Sequence, residues 1–186
     1  NDDPVRTIEP KEYTNRQTPS EESVYVSNCL FSGCTSGSNG GALCCESVTY
    51  LLVESSSFFS CNTSGQYGGA IYFSNSNGQC VLHEVCGNDC CSSSSSLGQF
   101  AFVSVNISAS SKNYVNYSSI IRCVNEKLNS YEILYLENGK ILCPSVNSSM
   151  NKCKQRSGIS CFPFKDSNSI TCSLTYSSFA DNNASN

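Results

Sequence analysis

Apolar residues fall in short runs along this chain, and the runs recur in a fixed order. One kind leads to an anchor residue: Val24-Tyr-Val26 before Phe31, Ser118-Ser-Ile-Ile121, and Leu174-Thr-Tyr176 before Phe179. A second follows a glycine pair or its equivalent: Ala42-Leu43, Ala70-Ile-Tyr-Phe73, Phe100-Ala-Phe-Val103 and Glu132-Ile-Leu-Tyr-Leu136. A third closes the unit: Tyr50-Leu-Leu-Val53, Cys80-Val-Leu82, Lys140-Ile-Leu-Cys143 and Ser169-Ile-Thr-Cys172. Clusters of Ser, Gly, Asn and Pro separate them, as turns between strands do. No stretch carries a helical period with caps.

The unit repeats. Cys34, Cys61, Cys90, Cys123, Cys153 and Asn182 recur at steps of 27, 29, 33, 30 and 29 residues. Three positions before each stand Phe31, Phe58, Gly87, Ile120, Met150 and Phe179. A period near thirty residues with three strands per period predicts a solenoid. The expected fold is an all-β, right-handed parallel β-helix of about five to six coils, stitched by disulfides, over residues 23–186. The competing fold is a disulfide-rich β-sandwich, because evenly spaced short strands also have that signature. Residues 1–22 have a different composition, polar and without cysteine. They read as a leader, a cap or an inter-subunit segment, with Val5-Arg6-Thr7-Ile8 able to add as a strand to a sheet edge. The opening at Asn1 rather than Met suggests a mature or trimmed product.

In a stacked solenoid, equivalent positions form columns. Phe31, Phe58, Ile120, Met150 and Phe179 are expected as an interior apolar column, each side chain worth about 1.5–3 kcal/mol when buried. Gly87 is a gap there, to be filled by Cys86 or Val85. The neighbouring column, Cys34, Cys61, Cys90, Cys123 and Cys153, places cysteines one rung apart at ~4.8 Å, within reach of a disulfide. Their pairing is left open. Cys143 and Cys172 stand one coil step apart in the third strand and are the best single pair. Asp89, Arg122, Lys152 and Asp181 each precede the column residue and read as a solubilising mixed-charge column. The glycine pairs Gly40-Gly41 and Gly68-Gly69 precede strands rather than helices, so they are turns and not phosphate loops.

Composition narrows the function. Fourteen cysteines in 186 residues, with a single histidine, favour an oxidising compartment over a zinc site. Five N-x-S/T sequons agree, at Asn62, Asn106, Asn116, Asn147 and Asn183. Net charge is −4 with 14% charged residues, which argues against a nucleic-acid partner. No apolar run is long enough for a membrane helix. No cofactor or metal is expected, only N-linked glycans.

The arrangement Phe31-x-x-Cys34 with Gly40-Gly41-Ala42-Leu43, Phe58-x-x-Cys61 with Gly68-Gly69-Ala70-Ile71, and Phe179-x-x-Asn182 resembles the repeat of the polymorphic outer-membrane protein family, surface β-helix adhesins and autotransporter passengers. The replacement of Asn by Cys, together with the sequons, is similar to cysteine-rich surface proteins of protists such as trichomonads. The resemblance spans about residues 23–186. It implies a parallel β-helix with a surface role in adhesion or coat, and it carries over no catalytic residue.

The expected function is therefore a non-catalytic, secreted or cell-surface structural and adhesive glycoprotein. Exposed aromatics at Tyr50, Tyr67, Tyr72, Tyr114, Tyr131 and Tyr135 are candidates for contact with a surface glycan or protein. The last repeat stops within a coil, which suggests head-to-tail homo-assembly into a filament. The alternative is a polysaccharide-active β-helix enzyme. Sugar hydrolysis needs two facing carboxylates, and Asp89, Asp166, Asp181, Glu46, Glu54, Glu84, Glu126, Glu132 and Glu137 are the available acids, with His83 a possible base.

Overall fold

The computed structural model describes residues 5–93, 97–124, 131–165 and 171–184. Strands are the regular elements throughout, and every strand pair is parallel. Sheet A stacks Val5–Ile8, Ser23–Ser27, Tyr50–Glu54, Gln79–His83, Lys112–Asn116, Lys140–Pro144 and Cys172–Thr175. Sheet B stacks Glu12–Tyr13, Leu30–Ser32, Ser57–Phe59, Cys86–Asn88, Ser119–Ile121, Asn147–Ser149 and Ser178–Ala180. Sheet C stacks Leu43–Cys45, Ile71–Ser74, Ala101–Ser104, Glu132–Glu137 and Arg156–Phe162. Short strands continue sheet B around its far corner, at Thr35–Ser36, Asn62–Thr63 and Cys91–Ser92, and again at Lys152–Cys153 and Asn183–Ala184.

The chain visits A, B and C in turn and climbs one rung per circuit. This is a parallel β-helix with five complete coils, flanked by a partial rung at each end. A β-sandwich would need antiparallel neighbours, and none occurs among the described residues. Val5–Ile8 lies in register on Ser23–Ser27. The helix thus begins ahead of position 23, within the polar segment.

Alternation turns one side of each strand inward, as the pleat requires. Sheet A contributes two interior columns. One runs Val24, Leu51, Cys80, Asn113, Ile141, Cys172; the other runs Ile8, Val26, Val53, Leu82, Val115, Cys143, Leu174. Sheet B contributes Tyr13, Phe31, Phe58, Gly87, Ile120, Ser148 and Phe179. Phe31 and Phe58 stack face to face, with centroids 4.7 Å apart.

Two expectations about this last column are corrected. Gly87 is paired without a bulge on both sides, so neither Cys86 nor Val85 fills its gap. The ring of Phe100 does so, reaching across from sheet C. Met150 is not an interior anchor: Ser148 holds that position, and Met150 stands at the corner, 46% exposed.

From the second rung on, two corners of the helix use one residue in the left-handed region. Between sheets A and B these are Asn28, Ser55, Glu84, Tyr117, Ser145 and Tyr176. At the far end of sheet B they are Gly33, Ser60, Asp89, Arg122, Met150 and Asp181. Their φ values lie between 44° and 63°. A single such residue reverses the strand direction and brings the next side chain inward. The charged column expected at Asp89, Arg122, Lys152 and Asp181 is this second corner, with Met150 in place of Lys152.

Candidate functional site

The residue after each corner closes the backbone there. At the second corner the column is Cys34, Cys61, Cys90, Cys123, Asn151 and Asn182, as the neighbouring registers require. Cys153 is not a member. It sits two residues further on, buried and stacked on Ala184. The step from Cys123 is therefore to an asparagine.

Cysteine and asparagine perform the same task in this column. Asn151 Nδ2 donates to the carbonyl of Ile120 at 2.9 Å, and Asn182 Nδ2 to that of Ser148 at 2.6 Å. Those carbonyls belong to the rung below, three positions before its own column residue. The thiols of Cys34, Cys61 and Cys90 donate to the equivalent carbonyls of Tyr13, Phe31 and Phe58, at 3.2, 3.4 and 3.4 Å. Asn151 Oδ1 accepts the amide of Cys123 at 2.9 Å, and Asn182 Oδ1 that of Asn151 at 3.0 Å. The amides of Cys34, Cys61 and Cys90 lie toward the sulfurs of Cys61, Cys90 and Cys123 and favour their ionised forms. Asn151 and Asn182 thus satisfy both a donor and an acceptor that a corner leaves unpaired, and Cys34, Cys61 and Cys90 satisfy the acceptor, while Cys123 donates to Ile121 of its own rung at 3.7 Å.

The first corner has its own ladder, which sequence reading missed. Ser56, Ser118 and Ser177 accept the amides of Cys29, Val85 and Val146 at 3.1 Å each, and donate to carbonyls of their own rung. These serines occur on every second rung, so no single-coil repeat marks them.

All fourteen cysteines stand unbridged. Burial pushes the thiols of Cys34 and Cys123 up to about 12, which keeps them protonated donors at neutral pH. Cys143 and Cys172 are not register partners: Cys172 lies on Ile141, and Cys143 beneath Leu174. One rung plus two residues along the strand separates their Cα atoms by ~8 Å, beyond the usual reach of a disulfide.

Of the sequon asparagines, Asn62 and Asn183 are exposed, while Asn106, Asn116 and Asn147 are half-buried. Asn147 accepts a hydrogen bond from Ser178.

Carboxylates are spent on rung-to-rung bonds. Tyr25 donates to Glu54 at 2.6 Å, Ser55 to Glu84 and Ser60 to Asp89 at 2.8 Å, and Ser104 to Glu137 at 3.0 Å. His83 lies 3.8 Å from Glu84 and edge-on to Tyr117. Glu132 is the exception. It is buried at the entry to sheet C and ion-paired with Arg156, and burial raises its carboxyl above the ordinary value despite that partner. Asp166 and Glu126 lie outside the described residues. Among the described residues, no cluster of three His, Cys, Asp or Glu side chains is disposed to hold a metal.

Two outer surfaces carry aromatic residues. On sheet C, Tyr67, Tyr72, Phe102 and Tyr135 form a stacked ladder, with Phe102 and Tyr135 at 4.9 Å and 4°. Their faces are covered by one another, so this ladder offers mainly edges to a ligand. Sheet A is different. Its outward column is Tyr25, Leu52, Val81, Tyr114 and Leu142, apolar over five rungs where an exposed face is ordinarily polar. Beside it Val5 and Tyr50 are 60% and 49% exposed. Val5, Tyr25, Tyr50, Leu52, Val81 and Lys112 line an open groove of about 460 Å³. Tyr131 stands elsewhere, under the ammonium of Lys154.

The fold and its ladders define the class: a parallel β-helix with cysteine-asparagine corners. Comparison with protein families, with curated proteins and with solved structures finds no match to this chain.

Proposed function

We propose that this chain is a non-catalytic structural and adhesive module of an extracellular or cell-surface glycoprotein. Its rod of coils is a rigid support, and the outer face of sheet A is its contact surface for a glycan or a protein. The observation that carries this reading is the in-register apolar column Tyr25, Leu52, Val81, Tyr114 and Leu142 on a face turned to solvent. Patches of this kind mark interaction sites more often than chance exposure. The aromatic rings at Tyr25 and Tyr50 suit the apolar faces of sugar rings. N-linked glycans on Asn62, Asn106, Asn116, Asn147 and Asn183 belong to the same reading, since each of these side chains reaches the surface.

End-to-end packing is part of the proposal. The last described rung leaves the interior-column residues Leu174 and Phe179 42% and 47% exposed, a surface that a further rung covers. A copy of the chain is one source of that rung.

The test is binding of the purified chain to a glycan array and to immobilised matrix proteins, beside the double variant Leu52→Lys/Val81→Lys. Both changes point outward and leave the core intact. Binding that is lost in the folded variant supports the reading; absence of binding, or binding indifferent to these positions, removes sheet A as the contact face. Electron microscopy of the same sample tests the filament.

The second reading is a polysaccharide-active enzyme. It is favoured by one feature, the buried Glu132 with its raised carboxyl pKa, as a general acid requires. Release of reducing ends or unsaturated sugars from polysaccharide, abolished in Glu132→Gln, would replace the adhesive reading with this one.

A further inference from the structure

Two interior columns flank the turn from sheet C to sheet A. The first runs Cys45, Phe73, Val103, Leu136, Cys161. The second runs Leu51, Cys80, Asn113, Ile141, Cys172. Each circuit sets one member of the first beside the next member of the second, giving Cys45 with Leu51, Phe73 with Cys80, Val103 with Asn113, and Leu136 with Ile141. Only at the final turn, between Arg156–Phe162 and Cys172–Thr175, are both positions cysteine.

Both side chains pack against the core, and both are half-buried. The other column thiols, such as Cys80, Cys90 and Cys123, are fully enclosed. Cys161 also touches Cys143, which lies on the inner side and is buried. Cys161 thus lies between Cys143 and Cys172, near enough to each for their ionisations to influence one another.

We propose that Cys161 and Cys172 are a redox-active pair that forms a disulfide across the last C-to-A turn, with a small-molecule disulfide as oxidant. The Cys172 thiolate attacks one sulfur of the oxidant. The oxidant's S–S bond breaks, and one small thiol leaves with the proton that Cys172 gave up. Cys161 then attacks Cys172 in the mixed disulfide, and the second small thiol leaves with the Cys161 proton. Two cysteines are oxidised and one disulfide is reduced to two thiols. Cys172 acts first because it is the more accessible to ionisation: burial raises it only to about 11, whereas the neighbouring Cys143, together with burial, pushes Cys161 higher.

The bond ties the last strand of sheet A to the last strand of sheet C. It secures the last described rung. Cys143 is not the partner of Cys172, because register sets them too far apart; Cys161 lies between them. This pair does not depend on the adhesive reading.

Tryptic cleavage isolates the three thiols, since Cys143 falls in 141–152, Cys161 in 157–165, and Cys172 in the peptide that begins at 166. The full chain, folded by circular dichroism, is incubated with glutathione disulfide, alkylated, digested and mapped by mass spectrometry. The expected product joins the Cys161 and Cys172 peptides, two hydrogens lighter than their sum, with Cys143 alkylated after unfolding. It persists in Cys143→Ser, and the oxidised chain melts at a higher temperature than the reduced one. A Cys143–Cys161 link, a Cys143–Cys172 link, or glutathione left on Cys172 with Cys161 still a thiol would each overturn the assignment. The wild-type map alone decides between these outcomes, whether or not a variant folds.

Discussion

Gly87 and Phe100 share one volume of the interior. A methyl group added at Gly87 would overlap the ring of Phe100, which meets Phe58 edge-on at 6.1 Å and 77°. The columns that these residues occupy face each other, and their sizes compensate rung by rung. Phe31 and Phe58 stand in the rungs of Ala42 and Ala70; Gly87 stands in that of Phe100; Ile120 stands in that of Ile133. In the three rungs of Phe31, Phe58 and Gly87 a large ring on one column is thus matched by a small residue on the other.

This relationship predicts a specific pattern of stabilities. Gly87→Ala overpacks the rung and should destabilise by about 1–3 kcal/mol. Phe100→Ala opens a cavity and should cost about 3–5 kcal/mol. The double variant Gly87→Phe/Phe100→Ala restores the arrangement of the rungs below it and should lose much less than the two single effects combined. Denaturant unfolding of the four chains gives the coupling energy. Additive losses would show that the two columns pack independently.

The corner column predicts that cysteine and asparagine exchange at low cost. Asn151→Ala leaves the Ile120 carbonyl and the Cys123 amide without their partner, and each buried unpaired group costs about 1–3 kcal/mol. Asn151→Cys retains a donor to the same carbonyl and should recover most of that loss. In the other direction Cys90→Asn should be tolerated, while Cys90→Ala should not. Thermal melts under reducing conditions separate these outcomes. A Cys90→Ala chain as stable as the parent would mean that the thiol ladder adds nothing to the corner.

That equivalence also explains where the sequence was legible and where it was not. The coil period was visible because Phe31-x-x-Cys34 and Phe58-x-x-Cys61 repeat with their glycine pairs, and the strand order followed from it. Between Cys123 and the end, matching like with like chose Cys153, although Asn151 is the residue that does the work. The error carried Met150 into the core and Lys152 into the corner, two positions out of register. Phe100 was invisible as the complement of Gly87 because it belongs to another column, at the repeat position that Ala42 and Ala70 hold in the rungs below. The left-handed corners were equally hidden: Asn28, Asp89 and Asp181 suit that conformation, but Tyr117, Arg122 and Tyr176 give no compositional sign of it. The outward apolar column on sheet A was present in the strands as alternate residues, yet without the register nothing told the inward set from the outward.

Glu132 predicts a pH dependence. Burial raises its carboxyl pKa, and the Arg156 guanidinium offsets only part of that. The folded chain holds the proton more tightly than the unfolded chain does. The resulting stabilisation is fully present below the unfolded carboxyl value of about 4.3, and it is lost as pH rises through the folded value. The stability of the wild type relative to Glu132→Gln should therefore fall between acid and neutral pH. Arg156→Met removes the offsetting charge and should make that fall steeper. Urea unfolding across this range measures both slopes; a difference that grows with pH in favour of the wild type would contradict the burial argument.

Met150 offers a test in which the two assignments of the last corners give opposite signs. As an interior anchor its replacement by a polar residue should cost about 1.5–3 kcal/mol of lost burial. As an exposed corner residue at φ 55° it holds a conformation that disfavours ordinary side chains. Asparagine enters that region more readily, because its short side chain bonds locally to the backbone. Met150→Asn should then raise stability, by up to about 1 kcal/mol against a strain of roughly 1–3 kcal/mol at such positions. Met150→Val, β-branched and a poor fit to positive φ, should lower it although valine is apolar. The order Asn above Met above Val, read from melting temperatures, is what the corner geometry demands. The reverse order for Asn and Val would return Met150 to the core and shift that one coil by two residues.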